Sequence, residues 1–199
     1  MNLSDEIQKR ADTYNQKLAL KTQVQEDITK YQARLYFLDK EIEECDKAVI
    51  MLTSISLEAK RSITMFLEDL VTDALQYISQ GQYSFKIDIE EKKCEFYIVE
   101  AVDGVISKQR PQDSCGGGFI DIISTTLRYA YLNLYNNPEL MGPIILDEPG
   151  KMVSADMSIR FGEFIKKLGE EFERQTIMIT HNDNLTNIAD HIEEIIKEG

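Results

Sequence analysis

The sequence predicts an α/β fold, in which a long helical segment precedes a smaller lobe of strands and helices. Three observations support this prediction. Residues 1–52 contain neither glycine nor proline, strands of alternating polarity begin at residue 83, and two later apolar runs end abruptly in polar residues. With 199 residues, 43% of them hydrophobic, the chain can bury one core but not two large domains. We therefore expect a coiled-coil arm with its connecting helix over residues 1–79 and one α/β lobe over residues 80–199.

The arm is predicted from an apolar heptad repeat, whose positions are called the seam below. The seam alternates steps of four and three residues and consists of Val24, Ile28, Tyr31, Leu35, Leu38, Ile42, Cys45, Val49 and Leu52. About four heptads favour a coiled coil, formed with a partner helix or with a second copy of the chain. The alternative is an amphipathic helix packed on the lobe. A second helical pattern, over residues 63–78, departs from the heptad spacing, and we expect it to pack on the lobe and to end near Gly81.

The lobe is expected to begin with a small antiparallel sheet. Strict alternation of polarity indicates a strand over residues 83–89. Two further strands are expected over residues 93–101 and 105–108, joined by a turn at Asp103 and Gly104. Further elements are expected as a helix that ends near residue 136, helices over 156–172 and 184–189, and a final edge strand over 192–196.

The first candidate site follows the apolar run Pro143–Leu146, which ends in Asp147 and Glu148. A run this short indicates a buried parallel strand that is covered on both faces. Carboxylates at the C-terminal edge of such a strand lie where open α/β sheets bind ligands. Asp147 is suited to hold Mg²⁺, and Glu148 is suited to orient an attacking water molecule. The structural alternative is a strand end followed by an acidic turn.

Two further segments complete a pattern with these carboxylates. The glycine-rich segment consists of Ser114, Cys115, Gly116, Gly117 and Gly118. Glycines at a helix start expose backbone N–H groups, which together with the helix dipole favour a phosphate group. Downstream, the apolar run 175–180 indicates a second buried strand, which ends at His181. A glycine triplet alone is typical of a flexible turn and a lone histidine of a structural role, but the three motifs in this order are specific.

In this order the motifs resemble those in the C-terminal lobe of ABC-type ATPases, in particular the SMC and double-strand-break-repair branch with long coiled coils. Residues 114–118 resemble the signature motif, residues 143–148 resemble the Walker B strand, and His181 resembles the switch histidine. The resemblance extends from about residue 83 to the C-terminus, which is more than half of the chain. The helical arm before it fits the same branch.

The sequence departs from this family pattern at three positions and lacks one motif. Cys115 replaces the signature serine, Gly118 replaces Gln or Glu, and Ser154 replaces the Asp of the loop after Walker B, with Asp156 two residues later. A thiol is a weaker donor than a hydroxyl, so contact with a γ-phosphate would rest on backbone amides. No G-x-x-x-x-G-K-[ST] sequence occurs, so the loop that cradles the α- and β-phosphates is missing. The chain therefore resembles half of a nucleotide site.

The resemblance implies that a partner lobe carrying the Walker A motif completes an ATP site. Another polypeptide supplies that lobe, or the chain is a truncated or degenerate form. In the completed site Asp147 would hold Mg²⁺, Glu148 would act as general base, and His181 would bond to the γ-phosphate. Residues 114–118 would reach the ATP of the other head, so that ATP closes the heads and hydrolysis releases them. In this family such closure controls access to DNA in repair, recombination or maintenance, often with a nuclease partner.

The chain alone is expected to be inactive, and two other functions remain open. A non-hydrolysing binding module or inhibitor would dock on a complete, full-length ATPase of this family through the seam and the glycine-rich segment. The presence of Asp147, Glu148 and His181 argues against this function. The departures at Cys115, Gly118 and Ser154 partly favour it. The other open function is that of a metal nuclease, and only the adjacent pair of carboxylates supports it.

The net charge and the cysteine content limit which partners and which cellular compartment are expected for the chain. The formal net charge of −13 argues against broad nucleic-acid binding, so DNA is expected only through the complex, although Lys108 and Arg110 are candidates for a local basic patch. Three scattered cysteines lack metal or disulfide spacing, which is typical of reduced thiols in a cytoplasmic protein. No signal peptide is recognised, and no apolar run approaches the ~18 residues of a membrane span, so no membrane contact is expected.

Overall fold

The structure, a computed structural model, describes residues 3–90, 93–102, 105–114, 116–135 and 142–195. Its elements are helix α1 (Leu3–Ser79), strands β1 (Tyr83–Glu90), β2 (Lys93–Val102) and β3 (Val105–Gln109), helices α2 (Pro111–Ser114) and α3 (Gly116–Leu134), strand β4 (Ile144–Asp147), helix α4 (Ala155–Glu171), strand β5 (Thr176–Ile179) and helix α5 (Asp183–Thr186). The chain divides into two units, Met1–Ala59 and Lys60–Gly199. The α/β class predicted from the sequence is confirmed.

The first unit is helical throughout its described residues. All seam positions of α1 are exposed except Leu38, which is half-buried. An apolar stripe of this length exceeds what isolated exposed apolar residues account for. Across the described residues no helix is both long enough and apolar enough to cross a membrane.

The last turns of α1 contribute to the core of the second unit. Val71, Ala74, Leu75 and Ile78 are completely buried, which agrees with the packing expected for residues 63–78. The helix ends at Ser79, and the residue that adopts the left-handed conformation is Gln80, with φ of 58°, rather than the glycine that follows it.

The same part of α1 covers the outer edge of β1. Glu68 Oε1 accepts a hydrogen bond from the backbone N–H of Ile87 (2.8 Å), and Thr72 Oγ1 accepts one from that of Phe85 (2.9 Å). One turn later the side-chain amide of Gln76 donates to the first carbonyl group of the strand (2.9 Å). Side chains spaced by four residues thus satisfy an edge strand that would otherwise expose unpaired backbone groups.

Strands β1, β2 and β3 form an antiparallel sheet in sequence order. Phe85 pairs with Ile98 and Ile98 with Gln109. Phe85, Ile87 and Ile98 are buried on one face, as the alternating pattern predicts. The three strands therefore lie where the sequence places them, while the expected turn at Asp103 and Gly104 lies outside the described residues.

Strands β4 and β5 are parallel, with Ile144 opposite Thr176 and Asp147 opposite Ile179. The prediction that these strands are buried on both faces is wrong for this chain. Ile144 and Leu146 are buried, but Ile145 is 65% exposed, Ile177 42% and Ile179 55%. The buried side chains share a core with α3 and α4, whereas the opposite face of the strand pair is left uncovered by the described residues.

Helix α3 is tied to the region around β5 by buried and half-buried polar contacts. Tyr129 is completely buried, and its hydroxyl lies 2.6 Å from Thr176 Oγ1. Burial raises the pKa of Tyr129 above its usual range. Arg174, just before β5, donates to the carbonyl of Leu132 near the end of α3 (3.1 Å). These contacts fix the start of β5 and hence the position of the residues that follow it.

The C-terminal elements differ from the sequence expectation. Helix α5 covers Asp183–Thr186, which is shorter than the predicted 184–189. Residues 192–195 have no regular structure, so the predicted edge strand is wrong for them, and residue 196 lies outside the described residues. Ile192 and Ile195 are strongly exposed. A strand here would therefore need a neighbour that the described residues do not offer.

Candidate functional site

The adjoining C-terminal ends of β4 and β5 bring two of the predicted site residues together. Strand β4 ends at Asp147 and β5 at Ile179, and the backbone N–H of Glu148 donates to the carbonyl of Ile179 (2.8 Å). His181 follows two residues later. Its Nδ1 lies 2.8 Å from Oε1 of Glu148. The parallel register therefore joins side chains that are 33 positions apart in the sequence.

Glu148 has a strained backbone. Its φ is 45°, in the left-handed region that few residues other than glycine adopt. The Glu148 side chain is 32% exposed and that of His181 79%. Strained residues persist where the surrounding structure holds them, and they cluster at functional sites. Here the backbone bond to β5 and the contact with His181 hold Glu148 in place.

Asp147 is the last residue of β4, and it is exposed. In the part of the chain that the structure describes, no group of three or more His, Cys, Asp or Glu side chains is placed to hold a metal ion. Mg²⁺ commonly uses one or two carboxylates and completes its shell with water and phosphate oxygens. A single exposed carboxylate such as Asp147 is compatible with a partial shell of this kind, whereas the described residues do not place it in a cluster of three or more protein ligands.

Two of the candidate phosphate-binding glycines are also required for packing. A Cβ atom on Gly118 would lie 2.9 Å from the carbonyl oxygen of Met152 and 3.2 Å from Cα of Val153. One on Gly117 would lie 2.8 Å from Cβ of Met152. Gly116, with φ of 72°, has nothing within 4 Å of such an atom. Among the three glycines, Gly116 is therefore the one that faces open space at the start of α3. Cys115 and the side chain of Ser114 lie outside what the structure describes.

One polar contact of this region was missed by the sequence analysis. Asp121, in the first turns of α3, accepts a hydrogen bond on Oδ2 from the backbone N–H of Met152 (2.9 Å). The contact joins α3 to the loop that follows Glu148. A single aspartate within a helical pattern carries no signal for such a role, so only the tertiary structure reveals it.

The loop after Glu148 is also shaped by Gly150, whose φ is 71°. A Cβ atom there would lie 2.5 Å from the ring of Phe161. The loop then enters α4, where a hydrogen bond with Ser154 holds the pKa of Asp156 below its usual range. Asp156 is thus engaged within the first turn of its own helix.

Lys108 and Arg110 do not form a patch of unpaired positive charge. Lys108 Nζ lies 2.5 Å from Asp88 and 4.0 Å from the centre of the Tyr97 ring. Arg110 lies 2.7 Å from Glu95. The hydroxyl of Tyr97, and then Arg110, hold the pKa of Glu95 below its usual range. The predicted basic patch is therefore wrong, because both cations are neutralised by carboxylates across the sheet.

The packing of the glycine-rich segment yields a stability prediction. We expect Gly118→Ala to lower the free energy of unfolding by about 1–3 kcal/mol, because the new methyl group meets the backbone of Met152 and Val153. Gly142→Ala is the matched control, since nothing lies within 4 Å of its Cβ position. Urea unfolding of both variants and the parent chain measures the effect. Equal stability of the two variants would contradict the observed packing.

Comparisons with known proteins give matches among solved structures only. No protein-family model matches the chain, and no curated protein matches it. One similar solved structure is described in the words "Structural biochemistry of ATP-driven dimerization and DNA stimulated activation of SMC ATPases". It is 15% identical, with a TM-score of 0.53 over 73% of this chain and 83% of that chain.

A second solved structure is a crystal structure of the Smc head domain with an extended coiled coil, bound to the C-terminal domain of ScpA, derived from Pyrococcus furiosus. It is 16% identical, with a TM-score of 0.46 over 62% of this chain and 30% of that chain. The first similarity, together with the long helix, the antiparallel sheet and the parallel strand pair, shows the fold. The chain has a mixed α/β fold related to that of SMC ATPase heads.

Proposed function

We propose that the chain is the C-terminal half of an SMC-like ATPase head, and that it completes an ATP site with a lobe that carries the Walker A motif. Residues 80–199 form the ATPase lobe in this proposal, and residues 1–79 form the arm and its connecting helix. The contact between Glu148 and His181 at the C-terminal ends of two adjoining parallel strands carries the proposal. ATP-gated closure of such heads would serve DNA repair, recombination or maintenance.

In the proposed site Glu148 is the general base. Its carboxylate is held by Nδ1 of His181 at 2.8 Å and is partly exposed, so it can take a proton from a water molecule. Asp147 would hold Mg²⁺, which when bound neutralises the charge of the phosphates. The glycine-rich segment, 114–118, would approach the phosphate of the ATP held by the other head, and it would do so through Gly116, which faces open space.

His181 would bind the γ-phosphate through the ring nitrogen that does not contact Glu148. An ionised carboxylate only accepts hydrogen bonds, so Nδ1 must carry the proton shared with Glu148. Donating to phosphate at the same time requires a second proton, on Nε2. The proposed site therefore needs the imidazolium form of His181 if both contacts are made together. His181 is well exposed, so its free nitrogen is accessible to a ligand.

The partner lobe is proposed from the uncovered face of the parallel strands. Parallel sheets are almost always covered on both faces, and a two-stranded sheet is seldom stable alone. Ile145, Ile177 and Ile179 are exposed on that face. We therefore propose that the lobe carrying Walker A covers these three side chains and so places its nucleotide beside Glu148 and His181.

The charge of the chain bears on how it would reach DNA. The net charge is −13, and Lys108 and Arg110 are paired with carboxylates, so DNA would be reached through the assembled complex. A nuclease subunit is a further partner in the proposal. Cys45 and Cys94 are exposed free thiols, which is consistent with the proposed cytoplasmic location.

A second candidate function is a non-hydrolysing binding module or inhibitor that docks on a complete ATPase of this family. The observation that favours it is the packing of Gly117 and Gly118 against Met152. These two glycines have a structural role in the chain itself, so their presence does not require a phosphate ligand.

The proposal predicts that the isolated chain neither binds ATP tightly nor hydrolyses it, because the Walker A loop that makes most nucleotide contacts is absent. Isothermal titration with Mg-ATP and a phosphate-release assay provide the measurement, with Glu148→Gln as the control for contaminating activity. A dissociation constant near micromolar, with turnover lost in Glu148→Gln, would show a complete site and overturn the half-site proposal.

A further inference from the structure

We propose that the seam of the arm pairs with the same seam of a second copy of this chain, in an antiparallel coiled coil that places Leu35 of one copy opposite Leu38 of the other. The inference goes beyond the proposed function, because it concerns residues 24–49 and involves no nucleotide. It rests on the exposed seam and on the charges that flank it.

Charged side chains beside the seam have no partner among the residues that the structure describes. In the heptad, Arg34 and Glu41 lie on one flank of the seam, and Asp39 and Asp46 lie on the other. Over the described residues none of these four side chains forms an ion pair or a hydrogen bond. They are exposed, so a second helix laid on the seam would meet them.

Two of the three lysines of the same region have partners on their own helix. The third, Lys30, lies at an outer heptad position, off both flanks. Lys47 lies 2.5 Å from Glu43, and Lys40 lies over the ring of Tyr36 at 5.6 Å. Both lysines occupy the helix face opposite the seam. The flanks of the seam are therefore mostly acidic, with Arg34 as their one cation within residues 24–52, and the position of Arg34 decides which registers are favourable.

In an antiparallel pair, core positions of one helix face core positions of the other in reverse order. Placing Leu35 opposite Leu38 of the second copy pairs the seam positions of residues 24–49 without a gap, and it leaves Leu52 opposite Lys21. The other facing pairs are then Ile42 with Tyr31, Ile28 with Cys45, and Val49 with Val24.

In this register the flanking residues are complementary. Arg34 faces Glu41 of the second copy, and the two-fold symmetry makes this pair occur twice. On the other flank Asp39 faces Gln32 and Asp46 faces Gln25, and each amide can donate to the carboxylate. No like charges face each other along the seam.

Neighbouring registers lack this complementarity. A shift by one heptad in one direction places Asp39 opposite Asp39 and Glu41 opposite Glu41 of the second copy. A shift in the other direction places Arg34 opposite Arg34 and Asp27 opposite Glu41. Like charges at these positions are destabilising, so they select against both shifts.

The parallel, in-register arrangement is also less favourable. There Arg34 would face Asp39 of the second copy, which is attractive, but Glu41 would face Asp46, which is repulsive. The two contributions oppose each other. The antiparallel pair thus has complementary contacts on both flanks, whereas the parallel pair has one attraction and one repulsion on each.

Cysteine cross-linking of the full chain tests orientation and register. In a background with Cys94→Ser and Cys115→Ser, Cys45 is the remaining thiol, and the antiparallel pair places it opposite Ile28 of the second copy. We expect Ile28→Cys to form an interchain disulfide under mild oxidation, whereas the background forms none. Residues 28 and 45 of one helix are about 25 Å apart, too far for an intrachain bond. Cross-linking of the background through Cys45 alone would show a parallel pair and overturn the proposal.

Charge variants provide a second test that needs no cysteine. Glu41→Arg replaces the attraction to Arg34 of the second copy by a repulsion between two guanidinium groups, so the dimer dissociation constant is expected to rise on the order of tenfold. Arg34→Glu should do the same, and the double variant should restore the parent value. In a parallel pair, Glu41→Arg would instead strengthen the dimer. Sedimentation equilibrium measures these constants, with circular dichroism to verify helix content. Tighter association of Glu41→Arg, or a monomeric parent chain at all concentrations, would overturn the proposal.

Discussion

In an ATPase completed by a lobe that carries Walker A, Glu148→Gln is expected to lower the rate of ATP hydrolysis by about 10²–10⁴-fold. Glutamine keeps the shape of the side chain and can still accept a hydrogen bond from His181, but it cannot take a proton from water. ATP should therefore still bind, and the heads should remain closed around it. Single-turnover hydrolysis and the ATP dissociation constant, measured on the reconstituted pair, separate the two effects.

His181→Ala should slow hydrolysis and leave closure partly intact, because it removes both the support of Glu148 and a donor to phosphate. The binding-module hypothesis expects a different result. The completed pair would stay inactive, and neither Glu148→Gln nor His181→Ala would change its behaviour. A reconstituted pair whose hydrolysis is indifferent to Glu148 would remove the enzyme assignment.

The role of the glycine-rich segment needs a variant that does not disturb packing. Gly117→Arg would block approach to phosphate, but it would also displace Met152, which lies 2.8 Å from the position of its Cβ. Gly116 has open space around it and a φ of 72°, a conformation that Asn and Asp tolerate. Gly116→Asp should prevent ATP-dependent closure by repelling phosphate, while Gly116→Asn, the neutral control, should retain more of it. Equal closure in both variants would exclude a phosphate contact at this position.

The double change Leu35→Glu and Ile42→Glu is expected to abolish association through the arm. Both side chains are exposed in the isolated chain, so the change should not unfold it. In a coiled coil it would place unpaired carboxylates in the interface, which costs several kcal/mol. The mass of the full chain by sedimentation should fall to that of a monomer.

This result is independent of the orientation of the pair, so it tests the seam as an interface of any kind. Ala33→Glu with Ser54→Glu adds the same charge to α1 away from the seam and is the matched control. The control should keep the mass of the parent chain. An unchanged mass after the seam substitution would show that the seam is not an interface.

Local patterns were sufficient to predict most elements. The local patterns over residues 83–108 predict strands close to the observed β1, β2 and β3. The alternation is clearest in β1, where the buried Phe85 and Ile87 are separated by the exposed Lys86. Helix α4, Ala155–Glu171, lies within one residue of its predicted range. The final turns of α1 pack as predicted. In each case the residue types within one element carry the information, since their spacing has the period of that element.

The sequence by itself determined the α/β class, the heptad seam, and the identity of Asp147, Glu148 and His181 as candidate site residues. Only the tertiary structure decided which of these side chains meet and which surfaces are exposed. The parallel register joins Glu148 to His181, and the close approach of Met152 explains Gly117 and Gly118. Exposure of Ile145, the pairing of Lys108 and the absence of a strand at 192–195 likewise depend on neighbours distant in sequence. The local sequence pattern specifies whether a segment has the period of a helix or of a strand. Which surface a side chain contacts depends on elements from elsewhere in the chain, and the local pattern contains no information about those elements.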